Sequence, residues 1–369
     1  MVNKKMIYNN LILNQEIWSQ LTNMVENNKL PHALIFSGSD GVGKEAHAIE
    51  LAGLLNMKEG QTNLTKIQRF QHPNINLIIP FPREKNINKK SDMIDCLSNK
   101  SLEKLLEMKL HKMENPYSII EFDKASSILI NSIRDIKKKS KFSINEREGA
   151  IVHIIFQAEK LCSPRTESGN ALLKILEEPP PNTFFILVTN HKEKMLDTIL
   201  SRCCDFYFPK ISNQKINTYI HKHYNIGNSD LLISICNGSI KQINHIIDSK
   251  IDIENTIKDG KKLISSIIQN KNWQAHYKKL EKLFKSDKQS FKIFIKIIIF
   301  ILNDLEKIKN NIFDCLILSD VQKVKSLDYN KCIYVIEETY QKLYKNINPA
   351  MGLFTMFLKL NRILVDTKK

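Results

Sequence analysis

The sequence predicts a parallel α/β sheet with crossover helices, followed by a region that is helical alone. Three observations carry this expectation. Short apolar runs alternate with helical stretches as far as Pro209, the pattern of parallel strands joined through helices. One such run, Ala33 to Ser37, leads directly into the glycine loop Gly38-Ser39-Asp40-Gly41-Val42-Gly43-Lys44-Glu45. Beyond Pro209 the alternation stops, and Ile, Leu and Lys recur at helical spacing with few Gly or Pro until Pro349.

Five strands follow from the apolar runs: Ala33 to Ser37, Ile75 to Ile79, Ala150 to Phe156, Thr183 to Thr189, and Asp205 to Phe208. Between them helices are expected at Lys44 to Leu55, Ser118 to Lys139, Thr166 to Glu178 and Lys194 to Leu200. Pro179-Pro180-Pro181 ends the third of these, because proline lacks the amide a helix needs and restricts the residue before it. The stretch from Arg83 to Pro116, rich in Lys and Asn with helical periodicity around Leu102 to Leu110, reads as an insertion. Three domains are therefore expected: an α/β domain at 1–210 with its insertion at 83–116, a small helical unit at 211–252, and a larger helical domain at 253–369. Ile293 to Leu302 is strongly apolar but too short to span a bilayer, and reads as a buried helix.

Composition narrows the functional classes. A hydrophobic share of 42% over 369 residues suits a globular protein with a sizeable core and argues against disorder throughout. The formal charge of +16 favours a polyanionic partner such as nucleic acid. Lys, Ile and Asn are abundant from end to end, however, as drift toward A/T-rich codons also produces, so the charge alone does not name a partner. The seven cysteines form neither a Cys-x-x-Cys pair nor a zinc spacing, which reads as free thiols in a reducing cytoplasm. No membrane span or apolar signal-peptide core is expected, and cytoplasmic localisation follows.

The glycine loop carries the chemical question. In a working phosphate loop the backbone amides cradle phosphates, the lysine reaches the β- and γ-phosphates, and a terminal Ser or Thr hydroxyl binds Mg²⁺. Here Lys44 is present, but Glu45 stands at the hydroxyl position and brings a negative charge toward the polyphosphate. Gly38, Gly41 and Gly43 have two readings: a phosphate cradle, or a tight strand-to-helix turn that needs glycine with no phosphate bound. The acidic pair expected at the end of the third strand is also missing. Phe156 and Gln157 stand there, and neither holds a metal or takes a proton. Glu159 reads as a solvated surface residue, and Phe156 as filler of the space a hydrated metal would need.

His32-Ala33-Leu34-Ile35-Phe36, His72-Pro73-Asn74, Ile133-Arg134-Asp135-Ile136, the run Asn170-Ala171-Leu172-Leu173-Lys174-Ile175-Leu176-Glu177-Glu178-Pro179-Pro180, and Ile199-Leu200-Ser201-Arg202-Cys203 occur in this order. Together they resemble the bacterial sliding-clamp loader of DNA polymerase III. The resemblance covers the α/β region, with Asn237-Gly238-Ser239-Ile240-Lys241 as its one further motif. It implies an AAA+-like P-loop domain, a helical lid and a C-terminal helical collar. The family contains ATP-hydrolysing subunits and delta-prime subunits whose own nucleotide site is defective. Glu45, Phe156, Gln157, and Lys241 where an ATPase subunit offers Arg to the γ-phosphate, all point to the delta-prime kind. The four zinc-binding cysteines that usually follow the loop are missing, since Met57 to Gln71 contains none, so no zinc is expected, and the substitutions around the loop make a bound ATP unexpected too.

By the same resemblance Arg202 reaches across a subunit boundary as an arginine finger for a neighbour's nucleotide. Arg134 and Lys174 match positions that face DNA in a central chamber, with Lys138 and Lys139 adding charge; a solvated surface is the other reading for each. Thr189 and Asn190 occupy the place where ATPases orient the attacking water. The implied partners are the ATPase subunits, the clamp-opening delta subunit, the sliding clamp and primed DNA. Two alternatives remain at this level: an ATP-hydrolysing gamma/tau-type subunit with unusual ligands, or a basic DNA-binding replication or repair protein outside the loader.

Overall fold

The computed structural model describes residues 6–56, 61–85, 91–122, 125–142, 149–224, 229–318, 321, 323–343 and 348–365. The strands β1 (Ala33–Gly38), β2 (Ile75–Ile78), β3 (Ile151–Phe156), β4 (Thr183–Val188) and β5 (Cys204–Phe208) form one sheet in the order β2-β3-β4-β1-β5. Every pairing is parallel. A parallel sheet has both faces covered, which is why β1, β3 and β4 are nearly continuous apolar runs. The two-residue period of the strand divides them cleanly. Leu34, Phe36, Val152, Ile154 and Phe156 enter one core, while Ala33, Ile35, Ile155, Phe185 and Leu187 enter the other.

The helices are α1 (Gln15–Glu26), α2 (Lys44–Asn56), α3 (Gln61–Gln68), α4 (Asn99–Glu114), α5 (Ile130–Phe142), α6 (Glu167–Glu177), α7 (Asp197–Leu200), α8 (Asn213–Tyr224), α9 (Asp230–Cys236), α10 (Ile240–Asp248), α11 (Ile253–Ile268), α12 (Trp273–Ser286), α13 (Lys288–Lys309), α14 (Tyr329–Leu343) and α15 (Pro349–Val365). Two expectations are corrected. The helix predicted from Ser118 begins only at Ile130, because the preceding backbone is bonded elsewhere: Ile120 O accepts from Gln157, Ile128 N donates to Lys160 O, and Ile128 O accepts from Ser168. Ile120 and Phe122 alternate into the core as in an extended chain. The helix predicted at Lys194 to Leu200 is a 3₁₀ turn at Lys192–Lys194 followed by the single turn α7.

The chain divides into two compact units. The first runs through Tyr224 and takes in Gly238–Gln242; the second holds Asn225–Asn237 and Ile243–Lys369. Residues 211–252 are thus shared between the two. In the second unit α13 packs against α11, α12 and α14, and α15 packs against the same three. The apolar stretch Ile293 to Leu302 lies within α13, with Ile297, Ile298, Ile301 and Leu302 buried. Trp273 stacks on Phe357 with ring centroids 5.8 Å apart. Among the described residues no helix is long and apolar enough to cross a membrane.

Candidate functional site

The glycine loop leaves the carboxyl end of β1 and enters α2 at Lys44, the position where open α/β sheets place their ligands. Its glycines answer to the protein itself. A Cβ on Gly38, at φ +127°, would lie 2.1 Å from the Phe208 carbonyl oxygen; one on Gly41, at φ +77°, would lie 2.1 Å from the Ser239 hydroxyl. The turn therefore requires glycine whether or not phosphate binds. Lys44 is buried, and its ammonium donates to the loop's own carbonyls, Gly38 O at 2.9 Å and Ser39 O at 2.5 Å. Burial lowers its pKa to about 8, against the opposing pull of the Asp40 and Glu45 carboxylates.

Glu45 has a partner that the sequence did not reveal. The ammonium of Lys112, in the last turn of α4, lies 2.5 Å from the Glu45 carboxylate and donates also to Pro116 O (3.0 Å) and Ser118 O (2.7 Å). The same ammonium stands 5.7 Å from the centroid of the Phe156 ring. Lys112 is 1% exposed. Burial lowers its pKa, and Glu45 works against that by favouring the charged form. One lysine thus joins the two substitutions that break the metal-binding pattern, at the loop and at the end of β3.

Around this pair the remaining polar groups satisfy each other. Gln157 adopts a left-handed conformation at φ 53° and accepts from Lys160 at 2.6 Å. Glu159 is buried and accepts from the Thr189 hydroxyl at 2.6 Å, which corrects its reading as a solvated residue. Asp40 receives the Lys241 ammonium at 3.0 Å and the Asn190 amide at 3.3 Å, and Ile240 N donates to Gly41 O. The loop is consequently clasped by residues 238–242, with Lys241 engaged on the loop's own carboxylate.

A fold of this kind implies a magnesium nucleotide at the loop, and the residues present do not fit one. The hydroxyl ligand is a carboxylate already neutralised by Lys112, the acidic strand end is apolar, and the cavity between loop, β3 and β4 measures about 60 Å³ against roughly 300 Å³ or more for a small-molecule site. Among the described residues no group of three or more His, Cys, Asp and Glu side chains is arranged to hold a metal ion.

The other sequence-selected residues lie apart from this cluster. Arg202 follows α7 and is exposed; its guanidinium donates to Glu177 at 2.9 Å and to Thr198 O at 3.0 Å. Arg134 on α5 and Lys174 on α6 are both exposed, and these two helices pack together. The side chains of Lys138 and Lys139 lie outside the described residues.

Comparison with known proteins supplies the family. The family model for the DNA polymerase III delta subunit matches residues 13–212. The tau subunit of DNA polymerase III from Bacillus subtilis is 24% identical over 96% of this chain and 57% of its own length. The gamma/tau subunit from Mycoplasma genitalium is 25% identical over 94% of this chain and 55% of its own. The delta' subunit from Bacillus subtilis is 25% identical over 55% of this chain and 50% of its own. The chain spans about half the length of these curated relatives. A solved gamma subunit-related protein from Thermotoga maritima covers 94% of this chain and 99% of its own at 14% identity, with a TM-score of 0.44. With the family model extending over more than half its length, the chain belongs to the DNA polymerase III delta subunit family of clamp-loader proteins.

Proposed function

We propose that the chain is a non-hydrolysing, delta-prime-type subunit of the DNA polymerase III clamp loader, helping to place the sliding clamp on primed DNA. The observation that supports this best is the Lys112–Glu45 ion pair, which sets an ammonium where a working loop holds its metal. Such a subunit binds no ATP of its own and serves as a scaffold for the ATPase subunits and the clamp-opening delta subunit. Arg202 is its chemical contribution. An exposed guanidinium held by one surface carboxylate is worth about 1 kcal/mol or less in place, so transfer to a neighbour's γ-phosphate costs little.

A second reading, the ATP-hydrolysing gamma/tau type, draws support from the tau and gamma/tau relatives that match along nearly the whole chain. Reconstitution with the loader's ATPase and delta subunits separates the two. DNA-stimulated hydrolysis should fall at least about tenfold with Arg202→Ala and change less than about twofold with Lys44→Ala. A Lys44-dependent ATPase in the isolated chain would establish the second reading instead.

A further inference from the structure

The inserted stretch 83–116 has no assigned role, yet it delivers Lys112 to the interior of the loop site. Every donor of this ammonium is engaged, by one carboxylate and two carbonyl oxygens, and an aromatic face lies beside it. That is a built cation site. Its ligands come from α2, from the turn after α4 and from the end of β3, so one ammonium ties three segments together. The other two lysines of the cluster follow the same logic, Lys44 on the Gly38 and Ser39 carbonyls and Lys241 on Asp40. Between them the three cations occupy the loop's acceptors from inside the protein.

We propose that the insertion is an internal plug whose Lys112 ammonium, paired with Glu45, replaces the bound metal–nucleotide as the element that closes the phosphate loop. The proposal rests on the reading of the chain as a non-hydrolysing subunit and adds to it how the loop stays ordered without a nucleotide. It also accounts for Glu45. A serine or threonine hydroxyl could not neutralise a lysine buried this deeply, whereas a carboxylate does so directly, because a buried charge persists only when paired. Lys112 and Glu45 then function only as a pair.

A double-mutant cycle on the full chain tests this, using Lys112→Met, Glu45→Gln and the two combined. Glu45→Gln leaves the buried Lys112 ammonium without its counter-charge, Lys112→Met leaves the half-buried Glu45 carboxylate without its own, and each lowers Tm; the double should recover at least about 4 °C relative to the sum of the two losses. Hydrogen exchange of the amides of residues 38–45 should accelerate at least about tenfold in each single variant while exchange in α13 is unchanged. Additive Tm shifts, or loop exchange no faster than in the wild type, would overturn the proposal. Should Lys112→Met not fold, Glu45→Gln keeps the side-chain shape and carries the loop-exchange comparison alone. ATP hydrolysis by the wild-type chain, lost in Lys44→Ala, would overturn the non-hydrolysing reading whatever the cycle returns, whereas additive shifts in a chain without hydrolysis overturn the plug alone.

Discussion

Two buried residues of α2 give the first unit opposed responses to pH. Glu50 is 1% exposed and accepts from the amides of Ile7 (3.0 Å) and Tyr8 (2.7 Å), anchoring the segment before α1. Burial outweighs those bonds and raises its pKa from 4.5 to about 7. A folded-state pKa above the unfolded one means the folded form binds the proton more tightly. Its contribution to stability is therefore complete below about pH 4.5 and lost as pH rises through about 7. His47 acts in the other direction. Its Nε2 accepts from Asn14 N at 3.0 Å, so Nδ1 carries the proton and donates to Gly43 O at 2.8 Å, and burial lowers the pKa to about 4. The stability owed to the neutral ring is complete above about pH 6.5 and lost as pH falls through about 4. Glu50→Gln isolates the first effect. Relative to that variant, the wild type should lose about 3 kcal/mol between pH 4.5 and 7.5 in chemical denaturation, and equal slopes for the two proteins would contradict the assignment.

At the level of elements, α13 organises the second unit through one buried carboxylate. Asp304 accepts from three successive amides, Leu316 at 3.1 Å, Ile317 at 2.6 Å and Leu318 at 3.0 Å, and so pins the chain that follows the helix. Asp304→Ala should cost about 3 kcal/mol in urea unfolding, since three donors lose their acceptor together, and a loss under about 1 kcal/mol would show that water replaces it. The inner strands β1, β3 and β4 were legible because parallel pairing buries both faces and leaves nearly continuous apolar runs. The segment from Ser118 to Leu129 was not, because Ile120, Phe122, Ile128 and Leu129 fit a helical face as well as an extended one and only long-range bonds decide. The helix α4 was legible, but not its inward face: Leu106 and Leu110 are exposed, while Leu105 and Lys112 turn inward. The glycine loop could be read from a short motif. Lys112 could not, since its contact with Glu45 spans 67 positions and no local pattern marks it; the one clue was a carboxylate at a place where charge needed an owner.

For the whole molecule, the net charge of +16 acquires meaning only where cations face outward. Lys44, Lys112 and Lys241 are spent on acceptors in and around the loop, whereas Arg134 and Lys174 remain exposed on packed neighbours α5 and α6. In the assembled loader each of Arg134→Ala and Lys174→Ala should weaken DNA binding uniformly across sequences. Each should also reduce the slope of log K against log salt by about 1; an unchanged slope would assign that residue to the solvated surface. The plugged loop carries a consequence of a different kind. A diffusible ligand fills its site according to its supply, but an ammonium tethered through the chain is held at an effective concentration that dilution cannot alter. On the plug proposed above, the order of residues 38–45 then owes nothing to the supply of adenine nucleotides or free magnesium.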